Sequence, residues 1–145
     1  MEIYTIGVTK KTAQQFFETL QRAGIRRVLD IRLNNTSQLA GFAKQEDLAY
    51  FLRVIGGIEY QHEVMLAPTQ DILDAYRKDK VEWEPFRQRF LALMRERQIE
   101  RRLDKTLFAT PTVLLCSEAL AEHCHRSFVA NYLRQHWGDV TITNL

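Results

Sequence analysis

Two thiols, an imidazole and a guanidinium are crowded into one short stretch, Cys116, Cys124, His125 and Arg126. Together such groups can supply a nucleophile, a proton carrier and an anion clamp. The stretch begins in an apolar run, Val113-Leu114-Leu115, and passes through Cys116, Ser117 and Glu118. It then enters a segment where Phe128, Val129, Tyr132 and Leu133 recur at helical spacing. A strand-to-helix junction is therefore expected, and the backbone N–H groups and dipole of a helix start favour an anion or a thiolate.

Each residue has a plainer use as well. Cys116, at the end of a buried strand, could equally be a small apolar filler. A phosphatase-type loop needs an arginine six positions beyond its cysteine, and Glu122 stands there, with Arg126 ten positions on. A compact phosphate cradle is thus not encoded, although a larger anion could lie between the helix start and Arg126. For zinc, neighbouring Cys124 and His125 would project roughly 100° apart if both were helical. Cys116, Cys124 and His62 with Glu118 are conceivable ligands, but the spacing matches no standard zinc pattern, so no metal ligand is assigned.

A second group lies earlier in the chain. Asp30 and Arg32, two residues apart, share one face of a strand end, as a salt bridge that anchors a loop or as an anion-binding pair with Asp30 orienting Arg32 or serving as a base. His62 could be a general base, although the absence of an identifiable partner favours a structural histidine. Asn34 and Asn35 could bind ligand or satisfy a tight turn.

The elements that must position these groups follow from periodicity. Glu2 to Gly7 reads as a strand. Thr12-Ala13-Gln14-Gln15 has the form of a capping box ahead of a stripe of Ala13, Phe16, Phe17 and Leu20, and Gly24 closes that helix. Ile25 to Arg32 is the second strand, Leu33 to Ala43 a polar loop, and Lys44 to Ile55 a helix ended by Gly56-Gly57. Ile58 to Val64 is the third strand. A short helix begins at Pro68-Thr69, and a long one runs from about Glu84 to Leu103, with Glu82 and Glu84 at its start and Arg95, Arg97, Arg101 and Arg102 near its end. Interleaved Glu96, Glu100 and Asp104 favour a solvated helix end over a phosphate-binding patch there. Thr112 to Cys116, Cys124 to Trp137 and Val140 to Thr143 complete the pattern as strand, helix and strand.

This alternation predicts a single three-layer α/β domain over residues 1–145, with a mostly parallel sheet of about five strands and helices on both faces. In such sheets ligands bind beyond the carboxyl ends of the strands, where the candidate residues fall. With 145 residues, 46% hydrophobic and 26% charged, the chain is rich enough in apolar groups to bury a core and is not of the disordered class. A net charge of +2 neither announces nor excludes nucleic acid. No apolar run approaches the roughly 20 residues of a membrane span, and no secretory leader is evident, so a cytoplasmic location with reduced thiols is expected.

Thr5-Ile6-Gly7, Asp30-Ile31-Arg32-Leu33-Asn34, Gly41-Phe42, Tyr60-x-His62, and Cys116-Ser117-Glu118 with Cys124-His125-Arg126 closely resemble the domain of unknown function 488 family. The resemblance implies a small bacterial or archaeal α/β domain, and it identifies a site better than a reaction. Carried over, it points to Asp30, Arg32, His62, Cys116, Glu118, Cys124, His125 and Arg126. Two departures stand out. The family commonly has Gly-His-Ser after the first strand, where Gly7 is followed here by Val8 and Thr9. It also tends to carry glutamate where Met65 stands, so if either absent group does the family's chemistry, this chain has lost it or supplies it from Glu63.

The expected function is binding of, or action on, a phosphorylated or other anionic substrate, related to nucleotides or nucleic acid. Cys116, His125 and His62 are the candidate catalytic residues. Asp30, Arg32, Asn34, Glu118, Cys124 and Arg126 are the candidate binding residues. A non-catalytic nucleotide or nucleic-acid binding module is the first alternative, and a structural protein with a buried polar cluster the second. The partner expected is an anionic small molecule or nucleotide, with nucleic acid weakly supported and no membrane. The sequence names no cofactor and no oligomeric state.

Overall fold

Apolar residues in period two decide which side of the sheet each strand residue meets. In the computed structural model, which describes residues 1–35, 41–77, 82–117 and 124–145, the strands are β1 (Glu2–Gly7), β2 (Arg27–Asp30), β3 (Glu59–His62), β4 (Thr112–Cys116) and β5 (Thr141–Asn144). They form one sheet in the order β3-β2-β4-β1-β5, with every pairing parallel. The expected three-layer α/β arrangement is observed.

Among the described residues the helices are α1 (Ala13–Arg22), α2 (Gln45–Gly56), α3 (Gln70–Arg77), α4 (Trp83–Arg97), α5 (Ile99–Arg102) and α6 (His125–Trp137). Phe16, Leu20, Leu48 and Leu52 of α1 and α2 pack with Ile6, Val28, Val113 and Leu115 on one face of the sheet. On the other, Phe90, Met94, Ile99 and Val129 pack with Ile3, Leu29, Ile31, Leu114 and Cys116. Each side chain of this size removed from water contributes about 1.5–3 kcal/mol, so both layers are held chiefly by apolar burial. The steps from β1 to β2 and β2 to β3 go toward one sheet edge, and those from β3 to β4 and β4 to β5 return. Right-handed crossovers therefore place the two helix groups on opposite faces.

The cap of α1 forms as expected. Thr12 Oγ1 accepts from the Gln15 N–H at 3.0 Å, and Gln15 Oε1 accepts from the Thr12 N–H at 2.9 Å. Ala13, expected in the buried stripe, is exposed at the start of the helix, on the wall of the groove along α1 and α2. The second strand stops at Asp30 and the third at His62, both earlier than expected, the third because Val64–Leu66 coils into a 3₁₀ turn. The long helix expected over Glu84–Leu103 is broken at Gln98, which takes a left-handed conformation with φ 53°.

That break redirects the chain so that α5 meets α6, where Trp137 Nε1 donates to the Glu100 carbonyl at 2.9 Å and Tyr132 Oη donates to the Glu100 carboxylate at 2.8 Å. Arg97, the last residue before the break, donates to the carbonyls of Met65 and Ala67, each at 2.7 Å. One arginine of the expected cationic helix end is thus a clamp on the 3₁₀ turn. Gln98 itself is exposed, so its cost is in the backbone. Gln98→Val is expected to lower unfolding free energy by about 1–2 kcal/mol, because a β-branched residue resists the left-handed region, while Gln98→Gly should not destabilise. Urea denaturation of both variants checks this.

Candidate functional site

Parallel register brings the strand ends into one rim. Gly7 lies beside Cys116, and Asp30 lies beside both Leu115 and His62. The helices after β1 and β2 cover one face, whereas α6, after β4, covers the other. The end of β4 is therefore flanked on both sides by the kind of crevice where open α/β sheets bind ligands.

On the α1 and α2 side, Asp30 is 0% exposed. Its carboxylate accepts from Arg32 Nε at 2.9 Å, Arg32 Nη2 at 2.8 Å, the Arg32 backbone N–H at 3.2 Å and Tyr60 Oη at 2.5 Å. Arg32 Nη2 also donates to the Ala43 carbonyl at 2.7 Å, and Asn35 Nδ2 donates to Tyr60 Oη at 3.1 Å. Burial, followed by the neighbouring Asp30 charge, pushes the Tyr60 hydroxyl far above the usual tyrosine range, so it stays protonated and donates. Asp30 and Arg32 thus form the loop-anchoring ion pair that was one of their two sequence readings. A carboxylate accepting four hydrogen bonds is poorly placed to serve as a base.

On the α6 side, period two puts Cys116 with Leu114 beneath the helix. Cys124 is not the first helical residue expected from sequence. It is the residue before the helix, with extended backbone at φ −125° and ψ 140°, and α6 begins at His125. The sulfurs of Cys116 and Cys124 meet at bonding contact. His125 Nε2 lies 2.9 Å from the Ile31 carbonyl, and Arg126 Nη1 lies 3.8 Å from Cys116 Sγ. All four side chains are buried, Arg126 at 1% exposure.

His62 mirrors His125, its Nε2 lying 2.7 Å from the Arg32 carbonyl. Since a carbonyl can only accept, Nε2 carries the proton in both rings when neutral, and each Nδ1 keeps the lone pair. The two histidines therefore grip consecutive carbonyls at the end of β2. Arg32, Leu33, Asn34, Ser117 and His125 share a recess of about 20 Å³ with Pro68 and Leu73, room for an ion or a single water. Asn34 Nδ2 reaches Gln70 Oε1 at 3.4 Å across this rim. A far larger groove of about 600 Å³ runs along the outer seam of α1 and α2, lined largely by Phe17, Phe42, Phe51 and Ile55, away from the thiols.

Expected site residues from β2, β3, β4 and the start of α6 are thus brought to one rim, but as two clusters on opposite faces of the sheet, joined through the Ile31–Arg32 backbone. Glu118 lies outside the described residues, as do residues 36–40 of the polar loop. Two participants escaped the sequence reading. Tyr60 enters the sequence only as part of the Tyr60-x-His62 motif, with no role of its own, and nothing in the sequence names the partner of its hydroxyl. Lys11 belongs to the turn after β1, where the N–H groups of Val8 and Thr9 bond to the Cys116 and Ser117 carbonyls at 3.2 and 2.9 Å and Lys10 turns back at φ 58°. Burial and then the Arg126 charge lower the Lys11 ammonium below its ordinary value, so two cations are close enough to repel.

A family model described as domain of unknown function DUF488 matches residues 12–133 of the chain. The chain belongs to the DUF488 family. No curated protein and no solved structure matches it significantly. In this DUF488 domain Val8, where the family resemblance leads one to expect histidine, is buried with the α1 and α2 core. Met65 packs against the core on the other face. Glu63 caps the 3₁₀ turn by accepting from the Met65 N–H at 3.3 Å, so its carboxylate is used locally. No helix among the described residues is long and apolar enough to cross a membrane.

Proposed function

We propose that this DUF488 domain binds, and through Cys116 acts on, a phosphorylated or other anionic substrate related to nucleotides or nucleic acid. The observation that carries this reading is the buried Arg126 guanidinium beside Cys116, with Lys11 close enough to feel its charge. Two cations gather near one strand end, and the first N–H groups of the 13-residue α6 add donors on the same side. Arg126 also donates to the Cys116 sulfur. The recess of about 20 Å³ at the rim, lined by Arg32, Ser117 and His125 among others, has room for one corner of an oxyanion.

In the catalytic form of this reading an external dithiol first reduces the Cys116–Cys124 bond to two thiols and is itself oxidised to its disulfide; Cys116 is then the nucleophile, and the Nδ1 of His125 or His62 carries the proton. In the binding form the same cations hold the anion without turnover. Fluorescent nucleotide and single-stranded oligonucleotide probes, titrated with reductant at several salt concentrations, test both. Binding should weaken with salt, and Lys11→Met and Arg126→Leu should each weaken it about 10- to 100-fold, the worth of one charge-assisted hydrogen bond. Cys116→Ser should keep binding and abolish any turnover. Affinity indifferent to salt and to both cation variants would remove the anion reading.

A further inference from the structure

The sulfurs of Cys116 and Cys124 and a ring nitrogen of His125 lie within 4.8 Å of one another. We propose that, in the reduced protein, these three residues hold one thiophilic divalent cation of the zinc class, with a fourth position left for water or substrate. The proposal is independent of the anion-binding form of the reading above, which rests on Arg126 and Lys11, and is an alternative to its catalytic form, which uses Cys116 and His125 Nδ1.

Two thiolates and an imidazole form a donor set that selects zinc-like ions over magnesium or calcium, and three protein ligands with an open fourth position are a pattern of catalytic rather than structural zinc. Backbone placement agrees. The Cα atoms of the two cysteines are 7.7 Å apart. Relaxed disulfides span about 4.4–6.8 Å, so a covalent bond would require these backbones to approach. A tetrahedral ion with Zn–S bonds of about 2.3 Å holds its sulfurs about 3.8 Å apart and asks for no such approach.

The helix start supplies the convergence that a continuous helix would deny. With Cys124 extended and His125 helical, adjacent side chains need not fan apart, and both reach the group beneath α6. The Ile31 carbonyl fixes the imidazole by accepting a hydrogen bond from Nε2–H, which makes Nδ1 the ligand atom, and this is how a metal-binding histidine is commonly oriented by a second group. Arg126 donates to the Cys116 sulfur, offsetting thiolate charge.

The test uses the full chain, reduced with a phosphine, stripped of metal and titrated anaerobically with cobalt(II) and then zinc. Expected are one cobalt per chain, tetrahedral visible bands with a sulfur-to-metal charge-transfer band, and stoichiometric displacement by zinc. Cys124→Ser and His125→Gln should weaken zinc binding at least about tenfold, while His136→Gln, on the exposed end of α6, should bind as the parent does. If a variant fails to fold by circular dichroism, the parent spectrum decides, since Cys116 and Cys124 are the chain's two cysteines and a thiolate band must come from them. A reduced parent that binds no cobalt, binds it without a thiolate band, or stays disulfide-linked under the phosphine would overturn the proposal, as would zinc affinity unchanged by both ligand variants.

Discussion

Asp30→Ala should lower unfolding free energy by about 3–5 kcal/mol, the scale on which loss of one partner from a buried ion pair is felt. The size follows from what is left behind. Arg32, with 7% of its side chain exposed, would keep the Ala43 carbonyl but lose both guanidinium bonds to a carboxylate. Tyr60 would lose its acceptor at 2.5 Å. Urea denaturation at neutral pH is the measurement, and a loss below about 1 kcal/mol would mean that water enters freely and the pair is not buried. The parent chain should also show a pH signature. Tyr60 titrates higher folded than unfolded, so its contribution is complete below the ordinary tyrosine value of about 10 and disappears as pH climbs from there through the raised folded value. The alkaline fall in stability should be shallower in Asp30→Ala, whose Tyr60 has less reason to hold its proton.

Phe90→Ala should cost a similar 3–5 kcal/mol, for an unrelated reason. Phe90 is 0% exposed and sits between α4 and α6, its ring centroid 5.2 Å from Phe128, 6.0 Å from Phe86 and 5.9 Å from the His125 imidazole. Truncation removes hydrophobic transfer energy and leaves a void directly under the histidine that grips Ile31. Phe90→Leu should cost about 1–2 kcal/mol, because most of the volume is kept. Thermal and urea unfolding give the stability, and the histidine ring resonances report whether His125 shifts with its support. Equal stability in the two variants would mean that the void collapses fully.

Much of the architecture was legible because each strand and most helices are decided locally. The alternation of Val28, Asp30 and Arg32 and the capping box at Thr12 need no distant partner to be read. What the sequence did not disclose depends on the third dimension. Strand order follows from crossovers, so nothing near Asp30 says that Leu115 is its neighbour. The break at Gln98 is invisible because residues 95–102 keep helical composition, and the turn is imposed by docking α5 against Trp137. At the site, the Asp30–Arg32 spacing revealed a pair but not the Tyr60 hydroxyl that completes it. A helical pattern follows Cys124 directly, yet a residue just before a helix commonly has extended backbone, and that one dihedral difference decides where its sulfur goes.

The placement of β1 also bears on how the chain is made. Of the five described strands it is the first to leave the ribosome, but both of its sheet neighbours, β4 and β5, begin at Thr112 or later. At translation speeds of about 5–20 residues per second, its hydrogen-bonding edges wait on the order of 5–20 s for a native partner. Through that interval the nascent segment is a template for foreign strands, and a chaperone that shields the first twenty or so residues would be of most use then.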